Sequence, residues 1–188
     1  MAATNHAQAI KQDSKTYLTT ALWQLLQTKA LSEVTVTQVV KRAGVSRMAF
    51  YRNFDSLADI LTAYFKPQID ARFDDVIKHV PTAQKMAAIG EFFTDLAPEL
   101  KLAVSRDFEP IIQQIFDENM MAFYQQTTMM QGLTAAQQKY WAHFMSAGVY
   151  AIWRTWLLDG QHESLDTIHD LIGTFQHATM AALQAQKG

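Results

Sequence analysis

Residues 35 to 54 read TVTQVVKRAGVSRMAFYRNF and gather Thr35, Thr37, Ser46, Arg47, Met48, Ala49, Tyr51, Arg52 and Asn53 into one short span. The polar members of this set are suited to recognising anions and base edges rather than to making or breaking bonds. Arg47 has the reach for a guanine edge or a phosphate, Asn53 carries a bidentate amide, and the hydroxyls of Tyr51, Ser46 and Thr37 donate to phosphate oxygens. A chemistry of this kind needs the side chains on one face of a rigid rod narrow enough for the major groove of duplex DNA.

The pattern around the run supplies that rod. Leu18, Ala21, Leu22, Leu25 and Leu26 recur at helical spacing, which predicts a core-facing helix over about 14–28. Thr35 or Thr37 caps a second helix whose apolar face is Val36, Val39, Val40 and Ala43, and Gly44 supplies the left-handed residue that ends it. A short strand is the other reading of the Val-Thr alternation at 34–37, but no pairing partner lies nearby. Ser46 then caps a third helix from Arg47 to about Phe54. Within it Val45, Phe50 and Phe54 face inward, and the polar set faces out. Helix N-termini at Thr37 and Ser46 add backbone donors for the same anions. Asp55 or Ser56 opens a fourth helix, with Leu57, Ile60, Leu61, Tyr64 and Phe65 on one face and Pro67 expected to kink or break it.

Charge follows the same division. The whole chain is acidic, at −2 over 188 residues, yet residues 1–66 hold eight basic against four acidic side chains. A basic segment joined to an acidic remainder fits a polyanion partner for the first part only. The expected organisation is a helix-turn-helix DNA-binding domain over 1–66 and a larger helical domain over 67–188. The absence of cysteine excludes disulfides, thiolate catalysis and cysteine metal cages. No secretory signal stands at the N-terminus and no apolar run suffices for a membrane span, so a cytoplasmic protein is expected.

The segment TVTQVVKRAGVSRMAFYRNFDSLADIL resembles the signature of the TetR family of transcriptional regulators, with Thr35, Val36, Ala43, Gly44, Val45, Ser46, Tyr51 and Phe54 at the pattern's positions. Three positions depart from it: Ala30 stands for a usual glycine, Val40 for a small residue at the helix crossing, and Leu57 for a phosphate-binding Lys. The resemblance implies an all-α fold, a homodimer built on the last two helices of each subunit, and a body that encloses a small-molecule effector. It also implies a double-stranded operator of roughly palindromic sequence and, as the leading expectation, repression.

The body is read as helices over about 68–80, 82–96, 99–105, 108–130, 134–159 and 164–186, the last capped by Ser164 and joined to its predecessor by a turn at Gly160. Ala147, Gly148 and Ala151 are small enough for close helix approach; with Ile168, Leu171 and Phe175 they form the expected dimer face. Phe92, Phe116, Met120 and Tyr124 are the expected effector contacts, since apolar, adaptable walls suit varied ligands. His169 and His177 share a helical face near Asp166 and Asp170, but their spacing matches no zinc pattern, so no metal is expected. No phosphate loop, nucleophile elbow or carboxylate pair points to an enzyme, and no cofactor is expected. The alternative reading is a co-regulator of the same shape that acts through a protein partner, motivated by Leu57 and by the modest charge of the head.

Overall fold

The computed structural model describes residues 2–185, and all secondary structure among them is helical, as expected from the scarcity of strand signals. The chain divides into two compact units, Met1–Pro67 with Leu100–Ile112, and Gln68–Glu99 with Gln113–Gly188. The return of residues 100–112 to the first unit is a feature that no linear reading of the chain supplies.

In the first unit, α1 (Ala2–Leu26) starts earlier than the periodicity suggests and ends two residues sooner. Its expected face is the buried one, with Leu18, Ala21, Leu22, Leu25 and Leu26 all in the core. The helices α2 (Val36–Ala43) and α3 (Arg47–Tyr51) follow, then α4 (Leu57–His79). Edge-on aromatic contacts join Trp23 to Tyr64, Phe65 and Phe108 at 5.2 to 5.9 Å. Arg106 fastens the returning segment: its backbone carbonyl accepts from the Leu31 amide at 2.8 Å, and its guanidinium donates to the Gln27 carbonyl at 2.8 Å.

Pro67 does not end α4, which is a single helix as far as His79. An interior proline costs about 3 kcal/mol. Phe65, Ile69, Phe73 and Val76 on either side of it are each nearly inaccessible, and each contributes roughly 1.5–3 kcal/mol by burial, enough to outweigh the loss.

The second unit is built on the rest of α4, α5 (Lys85–Asp95), most of α7 (Glu109–Gln126), α8 (Ala135–Leu158) and α9 (Leu165–Ala185). Pro98, expected as a stop, instead lies in the first turn of α6 (Ala97–Ser105), where the missing N–H has no intrahelical partner to lose. The stretch expected as one helix over 108–130 ends at Gln126 and closes with a short 3-10 turn. Thr134 caps α8 through a reciprocal pair with Gln137. Gly160 and Gln161 adopt left-handed φ values of 97° and 59° in the turn before α9. The two last helices run antiparallel, as the bond from Trp141 to Thr179 and the ring contact of Trp153 with His169 show.

Candidate nucleic-acid interface

Local chemistry sets the geometry of the turn. The Thr35 hydroxyl accepts from the Gln38 amide at 3.3 Å while the Gln38 side chain accepts from the Thr35 amide at 2.9 Å, a closed capping box that fixes where α2 begins. Gly44 at φ 66° turns the chain, and the Val45 amide reaches back to the Val40 carbonyl at 3.2 Å. Ser46 then caps α3 by accepting from the Ala49 amide at 3.0 Å. Phe50 and Phe54 are buried beneath, while Val45 is only half-buried. The third helix closes at Tyr51, shorter than its expected span to Phe54, because the chain tightens with the Asn53 and Phe54 amides both bonded to the Phe50 carbonyl. Ser56 caps α4, as its hydroxyl accepts from the Asp59 amide at 3.3 Å and Asp59 accepts from the Ser56 amide at 2.8 Å.

Thr35, Thr37, Ser46, Arg47, Met48, Tyr51 and Arg52 are exposed on this surface. Arg47 is the organising group. Its guanidinium donates to Thr37 Oγ1 and to the Tyr51 hydroxyl, each at 3.4 Å, and lies 5.7 Å from the centre of the Tyr51 ring. The Tyr51 ring rests edge-on against the buried Phe50 at 5.1 Å, so the hydroxyl and guanidinium stand on a fixed base. The cluster offers a charged, planar donor and two hydroxyls within one anion's width, the arrangement that phosphate contacts use.

Two expected contacts sit differently. Ala49 is half-buried, and Asn53 is half-buried with its amide donating to the Ala49 carbonyl at 2.7 Å and its Oδ1 enclosed without a partner. The Asn53 amide is therefore turned back onto the end of α3 rather than outward. Leu57 is half-buried and offers no charge. The sequence reading passed over Gln38, although the Thr35-to-Gln38 spacing is the signal of a capping box. It also passed over Lys15, whose ammonium stands 5.9 Å from the Phe54 ring centre.

In the second unit the expected effector contacts are divided. Phe92 is half-buried, whereas Phe116, Met120 and Tyr124 are buried. Phe116 belongs to an aromatic cluster with Phe73, Phe93, Tyr150 and Trp153, and Tyr124 to another with Phe123 and Trp141. The Tyr124 hydroxyl accepts from buried Gln176 at 2.8 Å, and burial raises its pKa well beyond the ordinary phenol value against a smaller lowering by that bond. The Trp153 indole nitrogen and His169 Nε2 are enclosed without partners, and burial lowers the His169 pKa against the opposing effects of Asp166, Glu91 and Asp170.

Of the expected dimer residues, Ala147, Ala151, Leu171 and Phe175 are exposed and Gly148 is half-buried with open space above its Cα, while Ile168 is buried in its own unit at 6% exposure. Tyr140, Phe144 and Leu158 extend the same outward stripe of α8.

The described residues form helices alone, and the first unit presents a capped helix-turn-helix with an exposed basic face, which places it in the helix-turn-helix class. Residues 18–64 match the family model described as bacterial regulatory proteins, tetR family. The match covers about a quarter of the chain and assigns that stretch, which holds the helix-turn-helix, to the tetR family. A 67-residue stretch is 34% identical to the HTH-type transcriptional regulator EthR of Mycolicibacterium smegmatis, covering 34% of this chain and 31% of that protein, so the chain spans about a third of that relative's length. Among solved structures, the dihydroxyacetone kinase operon activator DhaS is similar in fold, at TM-score 0.52 and 14% identity over 90% of this chain and 97% of that one. The TetR family repressor AlkX of Dietzia sp. gives a TM-score of 0.47 at 21% identity, over 91% of this chain and 95% of that one.

Proposed function

We propose that the protein is a cytoplasmic, ligand-responsive transcriptional repressor that binds a palindromic double-stranded operator as a homodimer and carries out no catalysis. The observation that carries this reading is the Thr37–Arg47–Tyr51 cluster, held on a capped helix-turn-helix and open to solvent. The exposed apolar stripe of α8 and α9 supports a dimer, because Tyr140, Phe144, Ala147, Ala151, Leu171 and Phe175 would otherwise stand in water. Two copies related by a two-fold axis place their third helices in successive major grooves, about 34 Å apart. An effector enclosed by the second unit shifts operator binding only through a difference in its affinity for the bound and released conformations.

The test is selection of bound duplexes from a random pool, followed by titration across a salt series. Direct binding weakens steeply with salt as counterions are released. Arg47→Ala and Tyr51→Phe lower operator affinity, and Arg47→Ala also flattens the salt dependence. Unchanged affinity in both variants overturns the assigned surface. An apo protein that selects no duplex and binds none in dilute salt points instead to the partner-mediated co-regulator motivated by Leu57.

A further inference from the structure

Met48 is the most exposed large hydrophobic side chain among the described residues, at 74%, and it stands second in α3, the helix proposed to enter the groove. Its neighbours are engaged or polar. Arg47 is drawn toward Thr37 and Tyr51, Ala49 is half-buried, and Arg52 lies one turn on along the same face. A thioether chain has no donor and only a weak acceptor, so at the surface of a duplex it gains nothing from phosphates or from guanine's acceptors and little from the amino groups of adenine and cytosine. One apolar group projects into the major groove, the C5-methyl of thymine. The basic surroundings of the segment, with Lys41, Arg42, Arg47 and Arg52 exposed, favour a nucleic-acid occupant over a second apolar protein surface.

We propose that Met48 reads the methyl group of a thymine in each operator half-site and so fixes that base. The inference rests on the DNA-binding function proposed above and deepens it from a class of partner to a chemical feature of the target. The flexible, unbranched chain of methionine lets its terminal methyl and sulfur settle on the thymine methyl without strain. Specificity at that position then comes from apolar contact, while Arg47 and the hydroxyls around it set the register on the backbone.

The experiment uses the full chain and a duplex recovered by selection. Each thymine is replaced in turn by deoxyuridine, which keeps the hydrogen-bonding edge and lacks the methyl. For the wild-type protein one thymine per half-site is sensitive, with a loss of about fourfold, the worth of one buried methyl group, and about 15-fold when both half-sites are changed. Met48→Gln binds that duplex less tightly and is indifferent to uracil at this position, while its far-UV circular dichroism and its salt dependence stay those of the wild type. A wild-type protein indifferent to uracil at every position overturns the inference while leaving DNA binding intact. Uracil sensitivity that persists unchanged in Met48→Gln assigns the methyl contact to another residue and overturns it equally. Recovery of no duplex overturns the DNA-binding function itself, and the inference with it.

Discussion

Gly90 lies in the interior of α5, and its replacement by alanine sets two effects of opposite sign against each other. Helix propensity alone favours Gly90→Ala by about 1 kcal/mol. Packing opposes it. A Cβ at this position would collide with His169 Nε2 and stand 3.2 Å from Trp153 Cζ2. Trp153 is fully buried and has little room to retreat, so the imidazole, at the end of a half-buried side chain, is the group that must leave. Overpacking of this kind costs about 1–3 kcal/mol, which exceeds or cancels the propensity gain. The cost should fall once the ring is gone: in a His169→Ala background only the approach to Trp153 still opposes the propensity gain of about 1 kcal/mol, so the same substitution destabilises less than it does in the wild type. Urea unfolding of the four proteins, at one fixed protomer concentration so that any association contributes equally, yields the coupling between the two sites. An equal effect of Gly90→Ala in both backgrounds would refute the contact between α5 and α9.

The same imidazole gives a pH signature. Burial holds the folded-state pKa of His169 below its ordinary 6.5, so the unfolded chain binds more protons, and this contribution is full above about pH 6.5 and is lost as pH falls toward the folded value. His169→Ala should flatten stability in that acid window, as read from unfolding midpoints between pH 7 and pH 5. Tyr124→Phe leaves the buried Gln176 amide without the acceptor it now has at 2.8 Å, a loss of about 1–3 kcal/mol by denaturation, whereas Tyr124→Phe with Gln176→Leu removes both partners and recovers most of it. Thr35→Ala opens the capping box of α2 and should cost about 1 kcal/mol, seen as a lower unfolding midpoint.

The head was legible because its geometry is made by neighbours in sequence. Thr35 with Gln38, Gly44 at a positive φ, and Ser46 with Ala49 each close within a few residues, so residue type and spacing carry the information. Where the alternatives were open, between Thr35 and Thr37 or between Asp55 and Ser56, bonds settled the caps on Thr35 and Ser56. Asn53 shows the limit of the same logic. Its type suits a base edge, yet a side chain near the end of a short helix finds the Ala49 carbonyl closer than any external partner.

The body was legible as helices but not as surfaces. Periodicity groups Ile168, Leu171, Ile172 and Phe175 on one side of α9, and the fold divides them: Ile168 and Ile172 are buried with Gln176 and Met180, while Leu171 and Phe175 look outward at 42% and 45% exposure. A broad apolar stripe is buried along one edge and exposed along the other, and the sequence carries no mark of where one ends and the other begins. Gln176 makes the point from the other direction, since a polar residue in the buried stripe is explained only by a tyrosine 52 positions away. The segment 100–112 behaves likewise, joined to the first unit through Arg106 and Phe108 by contacts of long sequence separation. Pro67 fails as a helix terminator for the same reason, because a local penalty of about 3 kcal/mol is set against burial on both sides that no local pattern can weigh.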